Sequence, residues 1–457
     1  MLNDAELRKA CDWENGLISP TLHFDDEVYR QEQERVFGRS WLVVGHEDMV
    51  RNRGDFVTNY MGEVPVIVTR AEDGKIRVLV NRCAHRGVEV CLFDRGNART
   101  FSCSYHGWTY DLTGKLVTVP MERQVYGDEL NKPQWGLEEL VSVATFHGLI
   151  CASFDPKAPP LTDWLGEDVC WWLENFVLAA RVGGLEALPG WHRYRSPGNW
   201  KLICENFIGD DYHVYSATHV AWLKIRRELS GLGTQLPIVS VPGTSLNGPI
   251  YEATGGYRRG CPLGMGVVVV DDWVYQADLK EAQELGPECV EWVRERRRLL
   301  LDALKGHEHK PYGFMNGLLF PNWGLMGFSS PLMGRHLMLF HPRGPHEHET
   351  WQWTMVEKNA PKAVKEIAVR RVYQGQHMAG LIAPDDVENF ERLVEATGPR
   401  RNWARPFNYG MRRGHEEEGP RGLPGNLGAC PSEINQRQFY KFWLSLMEGD
   451  GAGTQGG

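Results

Sequence analysis

Two short loops carry the residues of this chain best suited to chemistry. In CAHRG (83–87) one residue separates Cys83 from His85; in CSYHGW (103–108) two separate Cys103 from His106, and 17 residues lie between the pairs. Thiolate is a soft ligand for zinc, copper(I) or iron–sulfur clusters, and imidazole tolerates several of these. A structural zinc site favours Cys-x2-4-Cys paired with His-x3-5-His. Here each arm carries one residue of each type. A two-iron, two-sulfide cluster with both cysteines on one iron and both histidines on the other needs each loop to reach both irons, and this spacing provides that reach. Replacing two thiolates by neutral imidazoles makes such a cluster less negative and raises its potential. Gly87 and Gly107, close behind the histidines, let the backbone approach the sulfides. The pattern is that of a Rieske [2Fe-2S] centre, with zinc as the competing reading.

A cluster of that kind needs only a small domain, and about 300 further residues remain to use its electrons. In NWKLICENFIGDDYHVYSATH (199–219), helical spacing sets Asn206, Asp210 and His213 on one face at i, i+4 and i+7. His219 falls off that face, so His213 and His219 share a metal only if the helix ends or bends between them. Taken alone, both are equally well read as ordinary polar-core residues. A carboxylate could come from AGLIAPDDVENFERL (379–393), where Asp385 and Asp386 also suit helix capping beside Pro384. Two histidines and one carboxylate on one side of a metal leave positions open, the arrangement of oxygen-activating non-haem iron(II). Spacing alone does not separate Asp385 from Asp386.

The elements that must position these residues fall into two textures. A short helical pattern at 27–38 precedes a run of strand-like segments, WLVVG (41–45), DFVTNYM (55–61), VPVIVTR (64–70) and KIRVLVN (75–81), with turn signals at Arg53-Gly54, Asp73-Gly74 and Thr113-Gly114. Beyond the proline-rich DPKAPPLTDW (155–164), helical patterns at about 161–178, 200–220, 278–305, 360–375, 385–396 and 433–448 alternate with strand-like GVVVV, HLMLFH and TWQWTMVEK. The expected fold class is α+β: an all-β Rieske-type domain at 38–156, a larger catalytic domain with helices around an antiparallel sheet from 1–37 and 157–448, and a disordered tail at 449–457.

Composition narrows the partners. Over 457 residues, 42% hydrophobic and 24% charged content describe an ordinary globular chain, and a net charge of -9 argues against nucleic acid. The basic run at Arg294–Arg298 reads as a solvated helix face. No stretch approaches the roughly 20 apolar residues of a membrane span, and the first residues lack a secretion signal, so a cytoplasmic location is expected. There, the eight cysteines outside the loops (Cys11, Cys91, Cys151, Cys170, Cys204, Cys261, Cys289, Cys430) read as small buried hydrophobes.

The motifs in this order resemble the α (large) subunits of Rieske non-haem iron aromatic-ring-hydroxylating dioxygenases of the naphthalene and biphenyl type. The resemblance spans nearly the whole chain, through CAHRG, CSYHGW, LNKPQWGL, FHGLI, the 199–219 segment, FPN (320–322), HPRGP (341–345) and PDDVEN (384–389). It implies that Cys83, His85, Cys103 and His106 hold the cluster. It further implies that His213, His219 and Asp386 hold the mononuclear iron, with Asp385 in reserve. Asp210 would be the bridging aspartate and Asn206 an asparagine near the iron.

The resemblance also implies a head-to-tail trimer in which one chain's cluster serves the next chain's iron, with a small β subunit giving α3β3. A ferredoxin and an NAD(P)H-dependent reductase, or a reductase alone, would supply electrons for cis-dihydroxylation of an aromatic ring, expected to be a mono- or polycyclic hydrocarbon. By family position, Phe207, Val214, Phe314, Asn316, Gln376 and Ile382 would line the pocket. The stretch between FPN and HPRGP is longer than in the naphthalene enzyme, and the His213–His219 spacing is that of biphenyl-type relatives. Both departures border the pocket. An aromatic carboxylate, paired with Arg226, Arg227 or Arg335, and a monooxygenase or O-demethylase are the alternatives.

Overall fold

The computed structural model describes residues 3–219, 250–255, 263–269, 273–303, 313–314, 316–327, 330–398, 405–415, 417–418, 426–429 and 431–448. Two compact units divide the chain: Phe37–Leu161, and Met1–Val36 together with Thr162–Gly457.

The first unit is built from short antiparallel strands. A four-stranded sheet runs Ile76–Val80, Val64–Arg70, Asp55–Met61, Arg95–Asn97. Two three-stranded sheets join Ser142–Phe146, Leu149–Ser153 and Leu42–His46, and Leu116–Thr118, Thr109–Asp111 and Thr100–Ser102. β-branched residues dominate Val64–Arg70, whose Val66, Ile67 and Val68 are wholly buried. Their core includes Leu79, Phe101, Trp108 and Tyr110, and it takes in the side chains of Cys83 and Cys103.

The second unit centres on an antiparallel sheet of eleven strands among the described residues. Its long strands Arg335–Pro342 and Glu347–Glu357 pair along their lengths and are buried on almost every residue, so both faces are covered. The helices Trp200–Phe207 and Lys362–Gly375 pack on this sheet, and Ile434–Met447 packs on its Ile250–Gly255 end. No helix among the described residues is long and apolar enough to cross a membrane.

Several elements depart from the sequence pattern. The helix expected over 200–220 is two, Trp200–Phe207 and Asp211–Ser216, because Gly209 adopts φ 133°, a value that ends a helix. The helix expected over 278–305 is likewise split, into Trp273–Leu285 and Pro287–Ala303, at Gly286 with φ 117°. The run Arg294–Arg298 is not uniformly solvated: Arg298 is exposed between Glu295 and Asp302, whereas Arg296 is buried and pairs with Glu357 at 2.8 Å. Of the eight scattered cysteines, Cys11, Cys91, Cys151, Cys204 and Cys289 are buried and Cys170 is half-exposed. Cys261 and Cys430, like the 449–457 tail, lie outside the described residues.

A buried polar cluster ties the N-terminal segment to this unit. Glu32 accepts bonds from Lys201 Nζ at 2.5 Å and from the indole nitrogens of Trp200 and Trp443, each at 2.8 Å. Both charged side chains are fully buried.

Candidate functional site

The two Cys/His loops share one backbone turn. The Cys83 amide donates to the Val88 carbonyl and Gly87 donates back to Cys83; the Cys103 amide donates to Trp108 and Gly107 donates back to Cys103, all at 2.8–2.9 Å. Gly87 and Gly107 have φ of 74° and 72°, which a side chain rarely adopts. A Cβ on Gly107 would also lie 2.8 Å from Pro120. In the first turn the histidine is the second residue after cysteine, in the other the third.

Cys83 and Cys103 are buried, while His85 is half-buried and His106 exposed, so sulfur faces inward and imidazole outward. The imidazole centroids stand 4.5 Å apart, and His85 stacks on Trp108 at 4.9 Å. Cys83 Sγ lies 3.2 Å from the Tyr110 hydroxyl. Burial pushes the Cys103 thiol up. The Nδ1 atom of His85 is buried without a hydrogen-bond partner. Two buried thiols, two converging imidazoles and that orphaned nitrogen fit a [2Fe-2S] cluster of the Rieske type.

The second set of residues meets in the other unit. His213 sits in the Asp211–Ser216 helix; the chain leaves that helix at Ala217, φ -151°, and turns His219 back toward it. Asp386 comes from the first turn of Ala383–Thr397, where Pro384 starts the helix. Its Oδ1 lies 3.1 Å from His219 Nε2 and 3.4 Å from His213 Nε2. One ligand atom from each residue falls within a set no more than 4.8 Å across, so the three side chains converge on one place. The group is buried except for part of His213.

Neighbours orient these groups. Asp210 Oδ2 lies 3.4 Å from His213 Nδ1, and Asn206 Nδ2 lies 3.3 Å from His213 Nε2. Asp385 faces the other nitrogen of His219 at 3.4 Å, so the adjacent aspartates play different parts. Asn389 donates to Thr218 Oγ1 at 3.2 Å. Burial raises the Asp386 carboxyl, but His213 and His219 outweigh it and bring it below its ordinary value. Burial likewise opposes protonation of His213, yet Asp210 and Asp386 lift it to about 10. The donor set of two imidazoles and one carboxylate fits ferrous iron.

A cavity opens beside these three side chains, which form part of its lining. Val214, Asn316, Gln376 and Ile382 line it, together with Asn206. Phe207 does not: it packs on Phe340 at 4.8 Å and borders a smaller cavity behind Asp386. Phe314 lies on the Gly313–Phe314 strand, its side chain outside the described set.

Sequence reasoning missed Met326, Met333, His336 and Arg371 in the cavity wall. Met326 and His336 are cross-strand partners, a relation that appears only once the register is known. Burial holds His336 near 3, hence neutral. Arg335 does not line the cavity: it is buried, with Nη2 bonded to Glu357 and Nη1 to the Val177 carbonyl, each at 3.0 Å. Arg226 and Arg227 lie outside the described residues.

Residues 40–143 match the Rieske [2Fe-2S] domain, and residues 187–449 match the ring hydroxylating alpha subunit (catalytic domain). The chain is 34% identical to the biphenyl 2,3-dioxygenase subunit alpha of Rhodococcus jostii (strain RHA1), over 97% of this chain and 92% of that one. It is also 34% identical to the chlorobenzene dioxygenase subunit alpha of Cupriavidus sp. (strain PS12), over 97% and 94%. Its structure resembles that of naphthalene 1,2-dioxygenase from Rhodococcus sp., bound there to indole, with a TM-score of 0.80 and 30% identity over 98% and 100% of the two chains. The chain belongs to the α subunits of the Rieske ring-hydroxylating dioxygenases.

Proposed function

We propose that this chain is a cytoplasmic terminal oxygenase subunit that cis-dihydroxylates an aromatic ring with O2 and electrons from NAD(P)H. Cys83, His85, Cys103 and His106 hold the Rieske cluster in this reading, and His213, His219 and Asp386 hold ferrous iron. Residues 38–156 are its electron-entry domain, and residues 1–37 with 157–448 its catalytic domain. The observation that carries the reading is the meeting of His213, His219 and Asp386 within 4.8 Å in the wall of one cavity, in a chain that also carries the Cys/His loops.

Bound in these places, the cluster supplies one-electron transfer and the iron activates dioxygen. The protein does the rest by position. Outward-facing His106 presents the electron exit, and Asp210, a third of its side chain exposed, offers a carboxylate to a second copy of the chain while holding His213. Val214, Met326, Met333 and Ile382 give the ring an apolar wall. Filling it expels water from the site and sets the ring's edge against the face where His213, His219 and Asp386 converge. The ring gains two C–O bonds and two hydrogens, so O2, two electrons and two protons are consumed, and NAD(P)H with one H+ supplies the last two.

The relatives named above act on biphenyl and chlorobenzene, which supports a carbocyclic aromatic ring as substrate. Their designation as α subunits supports assembly with a small β subunit as α3β3, served by a ferredoxin and a reductase. The test is a single turnover of the reduced protein under 18O2 with naphthalene and biphenyl. Two labelled atoms on adjacent carbons support the reading. One labelled atom moves the assignment to monooxygenation.

A further inference from the structure

We propose that the preferred ring carries a carboxylate, and that Arg371 binds it. This rests on the reading that the cavity beside His213, His219 and Asp386 is the substrate site.

Arg371 lines that cavity. It stands on the Lys362–Gly375 helix, one turn before Gly375, which lines the cavity too. Its Nη1 atom is taken: it donates to Glu281 Oε2 at 2.7 Å and to the Leu332 carbonyl at 3.2 Å, and lies 3.7 Å from Met333 Sδ. These contacts anchor the guanidinium from one side. Its Nε and Nη2 atoms have no partner among the described residues. Nε and Nη2 form the paired edge that matches a carboxylate with two parallel bonds.

The surroundings favour a ligand that brings such a partner. Much of the cavity wall is apolar, at Val214, Met326, Met333 and Ile382. A hydrocarbon filling it strips water from the guanidinium and returns no hydrogen bond, a costly exchange for a charged group. Glu281 offsets part of the positive charge but engages only Nη1. Asn316 supplies a second polar group, which can meet a carboxylate only with its amide nitrogen turned into the cavity. It lines the cavity, is 5% exposed, and its carboxamide oxygen has no hydrogen-bond partner. Its amide can turn to present either a donor or an acceptor. Neither group is satisfied by a bare ring. Among the described residues Arg335 also stands near this wall, but it does not line the cavity, and its Nη1 and Nη2 atoms go to Val177 and Glu357.

The test compares matched ligands on the assembled, iron-loaded enzyme: naphthalene against 2-naphthoate, and biphenyl against biphenyl-4-carboxylate. Anaerobic calorimetry reads binding, and initial rates of diol formation read kcat and KM. The acid of each pair should bind about tenfold or more tightly, with the preference in KM. Arg371→Gln should cut the acid-to-hydrocarbon ratio about ten- to a hundredfold. Arg371→Lys should recover only part, since an ammonium lacks the fork. Tighter binding of the hydrocarbons by the unaltered enzyme, or an unchanged ratio in Arg371→Gln, overturns the proposal. Diols from hydrocarbons but not from acids also overturn it and leave ring dihydroxylation standing. If no ring yields a diol, ring dihydroxylation is what fails, and the calorimetric ratios still decide whether Arg371 binds carboxylates.

Discussion

Asp385 approaches Nδ1 of His219 at 3.4 Å, on the ring edge opposite the Nε2 that faces Asp386 at 3.1 Å. Two consecutive carboxylates thus reach one imidazole from different sides, one toward the candidate metal position and one behind it. A carboxylate on the outer nitrogen fixes the tautomer and orientation of a metal-binding histidine and raises its basicity.

Asp385→Ala should therefore weaken ferrous iron binding about 10- to 100-fold without altering the Rieske absorbance. Asp385→Glu should restore much of the loss. Iron titration of the apo-protein checks this, and unchanged affinity in Asp385→Ala would count against the orienting role.

Asp210 holds His213 from behind and leaves over a third of its side chain exposed. Asp210→Asn should retain both metal centres, measured by iron content and spectrum, yet lose most of its turnover. Normal steady-state activity would remove Asp210 from the electron route.

The Glu32–Lys201 pair makes a stability prediction. Burial lowers the Lys201 ammonium from its ordinary value, opposed by Glu32. Lys201→Met leaves the Glu32 carboxylate buried with only two indole donors, and should destabilise the catalytic unit by about 3–5 kcal/mol. Glu32→Leu combined with Lys201→Met should cost less, because no lone charge remains. Thermal unfolding of the three proteins checks the order.

His348 predicts the acid limb of stability. Its Nδ1–H donates to the Gly198 carbonyl at 3.0 Å, and burial, opposed by that bond, lowers it from 6.5 to about 4. The unfolded chain takes up this proton near the ordinary value and the folded chain does not. Stability from this group is thus complete above about 6.5 and is lost as pH falls toward 4. In His348→Gln, the loss of stability between these limits should be shallower by one bound proton. Unfolding midpoints measured across that range decide it.

The chemistry of this chain is more legible in its sequence than the shape of its cavity. Cys83, His85, Cys103 and His106 lie on two short turns, so their spacing survives folding almost unchanged. His213 and His219 are likewise close in sequence, although the break at Gly209 and the exit at Ala217, which orient them, are not expressed in helical periodicity. The choice between Asp385 and Asp386 needs the direction of each carboxylate, which the first turn of a helix sets and spacing does not. The cavity wall depends on still more distant relations. Met326 meets His336 only through the pairing of two strands. Arg335, the more suggestive arginine in sequence, turns inward to Glu357, while Arg371, one among several basic residues on an amphipathic helix, faces the cavity.

The shared turn of the two Cys/His loops has a consequence for transplantation. Both loops close with the same pair of backbone bonds and the same left-handed glycine, yet their histidines occupy different steps. The six-residue piece 103–108 could be grafted over 83–88 and the chain would trace the same path, but the imidazole would leave it one step late. Spacing in these loops acts as an address on a common scaffold, and a redesign that copies the scaffold without the address would deliver the ring to the wrong place.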